Sequence, residues 1–387
     1  MFPGLADWIK MLLAFAVSLL VAYVMTPPVK RFAEKVGAID VPRDNRRVHD
    51  HPIPRMGGLA IFIGFVLSLI FFVPMSTKVL GLLVGSVIIA VMGGVDDIVS
   101  LNPWVKLAGQ IVAALVAIRC GLVFDVISNP NIFAEETYIE IGWLSIPLTM
   151  LWIVGCTNAV NLIDGLDGLA VGVSAISSMT MLIVSLFVSE PVVSIILAAL
   201  TGACLGFMPY NLNPAKIFMG DVGSQLLGFV LSTASIMGLF KLHAIITFFV
   251  PLLALALPLA DTIFAFFRRI LHGQSPFKAD KGHFHHRLLA MGLNQKQVVA
   301  VLYGISAVLG LLAVLMAGDS MAVKIICLVA AFIISLGIWL KVFKNNPNLR
   351  EHHAEEHKAE TPAESNTTPQ EKAQKKSLPA TKRQISE

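Results

Sequence analysis

Five carboxylates and three histidines stand out in a chain otherwise poor in charge: Asp96, Asp97, Asp164, Asp167 and Asp221, with His283, His285 and His286. Each group lies at the end of an apolar stretch. The adjacent carboxylates of Asp96 and Asp97 repel, and burying both is unfavourable unless a cation or a proton compensates. A solvated helix end is the plain alternative, but Lys106 follows in the same region, where it can hold a phosphate. Asn158, Asn161, Asp164 and Asp167 recur at every third position, which keeps neighbours on roughly one helical face. Gly165 and Gly168 let the backbone turn or approach a ligand closely. Helix capping and turn formation use the same residue types, whereas an EF-hand is excluded because its ladder of ligands is missing.

Asp221, in Phe218-Met219-Gly220-Asp221-Val222-Gly223-Ser224, opens another apolar stretch. It reads as a helix N-cap, a metal ligand, or both. Asn and Asp oxygens are hard ligands suited to Mg²⁺, which takes one or two protein ligands plus substrate phosphates. His283-Phe284-His285-His286-Arg287 sits in a basic loop with Lys278 and Lys281, and only Asp280 is near as an acidic ligand. That surrounding charge favours an anionic phosphate or sugar substrate over zinc; a plain exposed loop is the remaining alternative. Arg55 precedes Gly57-Gly58, a pair that permits close helix packing, and Arg55 itself can face phosphate.

The elements that must position these groups follow from composition. The chain has 387 residues, 56% hydrophobic and 14% charged, with a mean hydropathy of +0.76. Soluble domains carry about 25% charged residues. The unit of organisation is therefore an apolar span of about 20 residues, enough to cross a bilayer as a helix. Eleven spans can be marked, with cores at 8–26, 57–74, 79–95, 104–120, 143–160, 169–188, 192–208, 222–240, 244–267, 297–316 and 322–341. The expected fold is all-α: a polytopic membrane protein of about eleven transmembrane helices in a domain spanning 1–344.

Alternation at Tyr138-Ile139-Glu140-Ile141, inside the connection Phe124–Gly142, predicts a short external hairpin. Residues 345–387 are rich in Glu, Lys, Gln, Thr, Pro and Ala and read as a disordered cytoplasmic tail; its His352, His353 and His357 read as solvated chain. The four cysteines have no paired spacing and read as small core residues. The first span lacks a small-residue cleavage site and reads as a retained helix.

Basic residues set the expected orientation. Lys30, Arg31, Lys35, Arg43, Arg46, Arg47 and Arg55 follow the first span; Arg268, Arg269, Lys278, Lys281, Arg287 and Lys296 follow the ninth. With eleven spans these loops share a side. Lys78 and Lys241 are the clear cations of the opposite side. The rich side is cytoplasmic, which puts the N-terminus outside, the C-terminus inside and all the acidic clusters at the cytoplasmic face.

Taken in order, Pro54-Arg55-Met56-Gly57-Gly58, Asp96-Asp97 with Lys106, Asn158–Gly168, Phe218-Met219-Gly220-Asp221 and His283–Arg287 resemble the polyprenyl-phosphate N-acetylhexosamine-1-phosphate transferases, over residues 1–341. Members that make peptidoglycan lipid intermediates typically carry three consecutive histidines in the last motif. Phe284 interrupts them here, as in the WecA/TagO-like branch that uses UDP-N-acetylglucosamine (UDP-GlcNAc). The resemblance implies a bacterial inner-membrane enzyme that transfers GlcNAc-1-phosphate from UDP-GlcNAc to undecaprenyl phosphate and releases UMP, with Mg²⁺ as cofactor and Mn²⁺ as a substitute. It further implies Asp221 and Asn161 as metal ligands, and Asp96, Asp97, Asp164 and Asp167 as catalytic or positioning carboxylates. Arg55, Lys106, Asn211, Phe218, His283, His285, His286 and Arg287 would contact substrate, with Phe218 stacking on uracil. Membrane lipids and a second copy of the chain are expected partners; nucleic acid is not. Two alternatives stand beside this one: a transferase using UDP-MurNAc-pentapeptide, and a transporter or flippase. Transporter sites tend to lie near the bilayer midplane, whereas these groups lie at span ends.

Overall fold

In a computed structural model of the chain, the described residues are 4–41, 51–124, 126–128, 138–140, 142–188, 190–238, 246–271, 283–317 and 320–338. Backbone groups that face lipid must be satisfied within their own segment, so apolar sequence of this kind folds as helix. Among the described residues there are α1 (Leu5–Val36), α2 (Gly58–Phe72), α3 (Thr77–Val99), α4 (Pro103–Arg119), α5 (Ser145–Leu162), α6 (Leu169–Val188), α7 (Pro191–Asn211), α8 (Gly220–Gly238), α9 (Ile246–Ala254), α10 (Ala256–Leu271), α11 (Phe284–Ala290), α12 (Gln295–Ala317) and α13 (Met321–Ile338).

Six helical stretches are long and apolar enough to cross a membrane: α1, α3, residues 142–162, α6, α7 and α12. The expectation of eleven spans is not met by that measure among the described residues. α2 has 15 residues and α4 has 17, and α8 is diluted by Asp221, Gln225 and many Gly, Ser and Thr residues. The span expected at 244–267 is broken at Leu255 into α9 and α10. Pro258 lacks an N–H and its ring crowds the carbonyl four residues back, that of Ala254. α1 runs on through Pro27 and Pro28 to Val36, so Lys30, Arg31 and Lys35 lie on a helix and not in a loop. It ends at Gly37 in the left-handed conformation, where Ala38 N–H donates to Ala33 O at 2.9 Å.

α8 is the central helix, and every residue from Val222 to Gly238 is buried. It packs on α2, α3, α5, α6 and α7. Two approaches depend on a missing side chain: a Cβ on Gly58 would lie 2.0 Å from Gly223 N, and one on Gly93 would lie 2.6 Å from Val222 N. Small residues thus bring the backbones of α2 and α3 against α8.

Two short ribbons complete the described structure. β1 (Ile39–Asp40) pairs antiparallel with β2 (Ile53–Pro54), and β3 (Val126–Ser128) pairs antiparallel with β4 (Tyr138–Glu140). The second ribbon lies in the connection where alternation was noted. Arg43, Arg46, Arg47, Lys241, Lys278, Asp280, Lys281 and the 345–387 tail lie outside the described residues.

The C-terminal ends of α3, α5 and α7, the turn before α6 and the N-terminal ends of α8 and α12 meet around one polar cavity, with Lys106 of α4 beside it.

Candidate active site

The last turn of α3 and the first turn of α8 form the floor of that cavity. Asp97 accepts the N–H groups of Asp221 and Val222 at 3.0 and 3.3 Å, so α3 supplies the acceptor for the free N–H groups at the start of α8. Its Oδ1 also pairs with Arg55 Nε at 3.0 Å. Asp221 is thereby released from capping its own helix, one of the two roles its sequence position allowed. Its Oδ1 receives Asn161 Nδ2 at 3.3 Å, and its Oδ2 receives Lys106 Nζ and Gln225 Nε2, each at 2.8 Å.

Asp96 turns the other way. Its Oδ1 accepts Leu101 N–H at 2.6 Å, which shapes the α3–α4 link, and its Oδ2 meets Lys106 Nζ at 2.7 Å. The Lys106 ammonium thus sits between Asp96 and Asp221. Oxygens of Asp96, Asp97 and Asp221 all lie within 4.8 Å of one another.

Arg55 is delivered by a backbone zipper. Phe218 N–H donates to Pro54 O at 2.8 Å, Gly57 N–H to Phe218 O at 2.9 Å and Gly58 N–H to Met219 O at 2.8 Å. The motifs around Gly57 and Gly220, far apart in sequence, are therefore one structural unit. Phe218, Arg55 and Asp40 line the same cavity.

The opposite wall is the turn between α5 and α6. Asp167 Oδ2 accepts Asn213 Nδ2 at 2.9 Å and Ala215 N–H at 3.0 Å, tying the turn to the segment after α7. Asn211 is the last residue of α7 and is buried. Its Oδ1 accepts Gly168 N–H at 3.1 Å and its Nδ2 donates to Ile217 O at 3.0 Å. Asp164 lines the cavity; burial, then the nearby Asp221, Asp97 and Asp167 carboxylates, push its pKa up to about 8. The cavity measures about 280 Å³.

The histidines are placed behind this turn. Among the described residues that line the cavity, His283, His285, His286 and Arg287 are absent. His285 is buried, and a Cβ on Gly165 would lie 2.6 Å from its Nε2. Burial first, then His286 and His283, bring its pKa down to about 4, so the ring is neutral near pH 7. His286 lies with its ring 4.3 Å from that of His285, and the exposed Arg287 stands over the Phe264 ring at 5.6 Å.

Several contributors escaped sequence reasoning. Gln110 of α4 accepts Asn158 Nδ2 at 2.6 Å and donates to Gln225 Oε1 at 2.9 Å, which continues to Asp221. Gln295 joins Asn213 at 2.7 Å beside Asp167. Asp261, buried on α10, holds His283. The signal was present for Asp261 and Gln110: a carboxylate or amide inside an apolar span needs a partner.

Hard oxygen donors in this number match a divalent cation such as Mg²⁺. The Lys106 ammonium, seated between two of the carboxylates, marks a position that already attracts positive charge. Neither hydrogen bond from Asn161, to Asp221 or to Ser224 at 2.8 Å, uses its Oδ1.

Residues 79–239 match the model of glycosyl transferase family 4. The chain is 43% identical over 309 residues to a probable undecaprenyl-phosphate N-acetylglucosaminyl 1-phosphate transferase of Bacillus subtilis, covering 80% of this chain and 85% of that protein. It is 36% identical over 315 residues to a decaprenyl-phosphate N-acetylglucosaminephosphotransferase of Mycobacterium tuberculosis, covering 73% and 77%. A phospho-N-acetylmuramoyl-pentapeptide-transferase of Staphylococcus aureus is 31% identical over 323 residues, covering 78% and 96%.

Proposed function

The chain belongs to glycosyl transferase family 4, and from that membership and the cavity we propose that it transfers GlcNAc-1-phosphate from UDP-GlcNAc to undecaprenyl phosphate, releasing UMP. One observation carries this reading: a polar, carboxylate-rich cavity at one end of helices long enough to cross a bilayer. A lipid acceptor cannot leave the bilayer and a nucleotide sugar cannot enter it. The end of the helices is where both reach, and the excess of Lys and Arg after the first and ninth apolar stretches supports a cytoplasmic placement of that end in a bacterial inner membrane.

A phosphate oxygen of the lipid attacks the β-phosphorus of UDP-GlcNAc, and the bond to the UMP oxygen breaks. Such transfer depends mainly on positioning and charge neutralisation. Among the described residues, the cavity is lined by Asp40, Asp97, Asp164, Asp167 and Asp221 together with Arg55, and Lys106 adjoins it. A divalent cation would relieve repulsion between these carboxylates and a polyanionic donor. Asp221 and Asn161 would hold Mg²⁺, with Mn²⁺ as a substitute. When bound, the metal neutralises the pyrophosphate oxygens and stabilises the departing UMP.

Arg55 and Lys106 bring positive charge to the edge where phosphate oxygens need it. The Asp97 oxygens already accept two backbone N–H groups and Arg55, so Asp97 positions α8 and is not a free base. Base catalysis has little to contribute, because a phosphate monoester is largely ionised near pH 7. Phe218 offers an aromatic wall for the uracil.

Asp164 gives the cation site a pH dependence. Below about 8 its carboxyl holds a proton in the cation-free chain. Uptake of a divalent cation favours the ionised form and expels that proton. Affinity for Mg²⁺ therefore rises with pH by up to about tenfold per unit, then flattens above the Asp164 pKa. Isothermal titration with Mg²⁺ across this range checks the slope, and a flat profile contradicts it.

The sugar is tested directly. Purified protein in lipid with undecaprenyl phosphate is expected to release UMP from UDP-GlcNAc, in a Mg²⁺-dependent manner, and not from UDP-MurNAc-pentapeptide. Turnover with the muramoyl donor alone would assign the chain to the activity that the Staphylococcus relative's name describes.

A further inference from the structure

Asp261 is 3% exposed on α10, enclosed by helices. A buried carboxylate is strongly unfavourable unless specific donors hold it. Both of its oxygens are committed to one short segment. Oδ2 faces His283 Nδ1 at 3.0 Å, and Oδ1 accepts the N–H of Phe284, the first residue of α11, at 2.8 Å. A carboxylate at Nδ1 calls for the proton on that nitrogen, which leaves Nε2 of a neutral His283 ring as the acceptor. The Phe264 and Phe284 rings, 6.2 Å apart, extend the same seam between α10 and α11.

On the far side of this seam, the His283 and His285 rings stack at 5.8 Å with their planes 3° apart. His285 in turn fills the space that a Gly165 side chain would occupy. Gly165 stands in the turn whose Asp164 and Asp167 line the cavity. A continuous line of contacts therefore runs from Asp261, through α11, to two of the cavity's carboxylates.

We infer that Asp261 is a positioning residue for the transfer reaction: it seats α11 so that His285 props the turn carrying Asp164 and Asp167. Asp261 does not line the cavity and has no direct part in the chemistry. This inference rests on the assignment of that cavity as the reaction site.

The test uses the full chain in lipid nanodiscs and has two independent readouts. The first is amide hydrogen exchange over residues 163–168 and 284–290. Asp261→Ala removes both contacts and is expected to speed exchange in both segments, while α3 and α8 keep their protection. Asp261→Asn keeps an acceptor for the Phe284 N–H but presents an amide donor to His283, and falls between Ala and the unsubstituted chain. The second readout is turnover. A turn displaced by about 1 Å predicts a loss of about a hundredfold in kcat, with a smaller change in KM for UDP-GlcNAc and partial recovery in Asp261→Glu. Acting through the same contacts, Asp261→Ala and His285→Ala together are expected to cost no more than the larger single loss.

Unchanged exchange over 163–168 in Asp261→Ala would overturn the inference, and so would losses that multiply in the double variant. If Asp261→Ala does not fold, Asp261→Asn alone decides through the same exchange measurement. Failure of the unsubstituted chain to release UMP would instead count against the function proposed above, and the exchange result would still judge Asp261.

Discussion

Asp221→Asn is expected to lower kcat by about a hundred- to a thousandfold while the chain inserts, folds and melts as before. Asp221 contributes charge and ligand oxygens, not packing. Its carboxylate faces the cavity and is held by Lys106, Gln225 and Asn161. An amide of the same shape keeps much of that hydrogen bonding but removes the anion that would hold the metal. It also reduces repulsion with Asp96 and Asp97, which lie within ligand distance. The loss of the Lys106 ion pair at 2.8 Å offsets that relief, so thermal stability should change little as activity falls. Measuring UMP release alongside the melting temperature of the purified protein separates the two effects. Near-normal turnover with ordinary Mg²⁺ dependence would remove Asp221 from the metal site.

Asp97→Ala is expected to act differently, with a loss of both stability and turnover. Truncation takes from Arg55 its closest partner, leaving it only Asp96, and leaves two N–H groups at the start of α8 without acceptors. Arg55 is partly exposed, so water screens some of that loss. A cost of about 2–4 kcal/mol follows from breaking a largely buried ion pair and removing a helix-terminal acceptor. Activity falls as well, because the start of α8 carries Asp221. Asp97→Asn should recover part of the stability, since an amide oxygen can still accept one N–H. The measurement is the melting temperature of both variants. If Asp97→Ala melts like the unsubstituted chain, Asp97 has no structural role at α8, and its part in the site is purely electrostatic.

These two carboxylates illustrate how sequence and structure divide the information. Both were legible as site residues, because an acidic side chain beside an apolar span is costly and rarely incidental. Their separate duties were not. From sequence, Asp221 reads as the cap of its own helix, a metal ligand, or both; in the fold Asp97 supplies the helix acceptor from 124 positions away. Local spacing reports periodicity and helix ends, but a hydrogen bond between helices depends on which ends meet.

The histidine block shows the same limit. Its basic surroundings pointed toward an anionic substrate, yet His285 is neutral and packed behind the acidic turn, and His283 is held by Asp261. The spacing of Gly165 signalled a close approach; only the fold showed that a histidine ring makes it. Asp261 itself sat unremarked inside a span read as one helix, which Pro258 divides.

By itself, the sequence determined that the chain is helical and membrane-like, that its acidic and amide groups cluster at the ends of apolar segments, and that its ordered motifs belong to one family of transferases. Hydropathy and residue type suffice for that, because each is a property of a short stretch of chain. Tertiary structure alone decided which carboxylate holds a helix, which faces the cavity, and how Arg55 and Phe218 come together through a backbone zipper. Those choices are made by contacts between segments far apart in sequence, where burial makes every unpaired polar group expensive and so leaves few arrangements that satisfy them all.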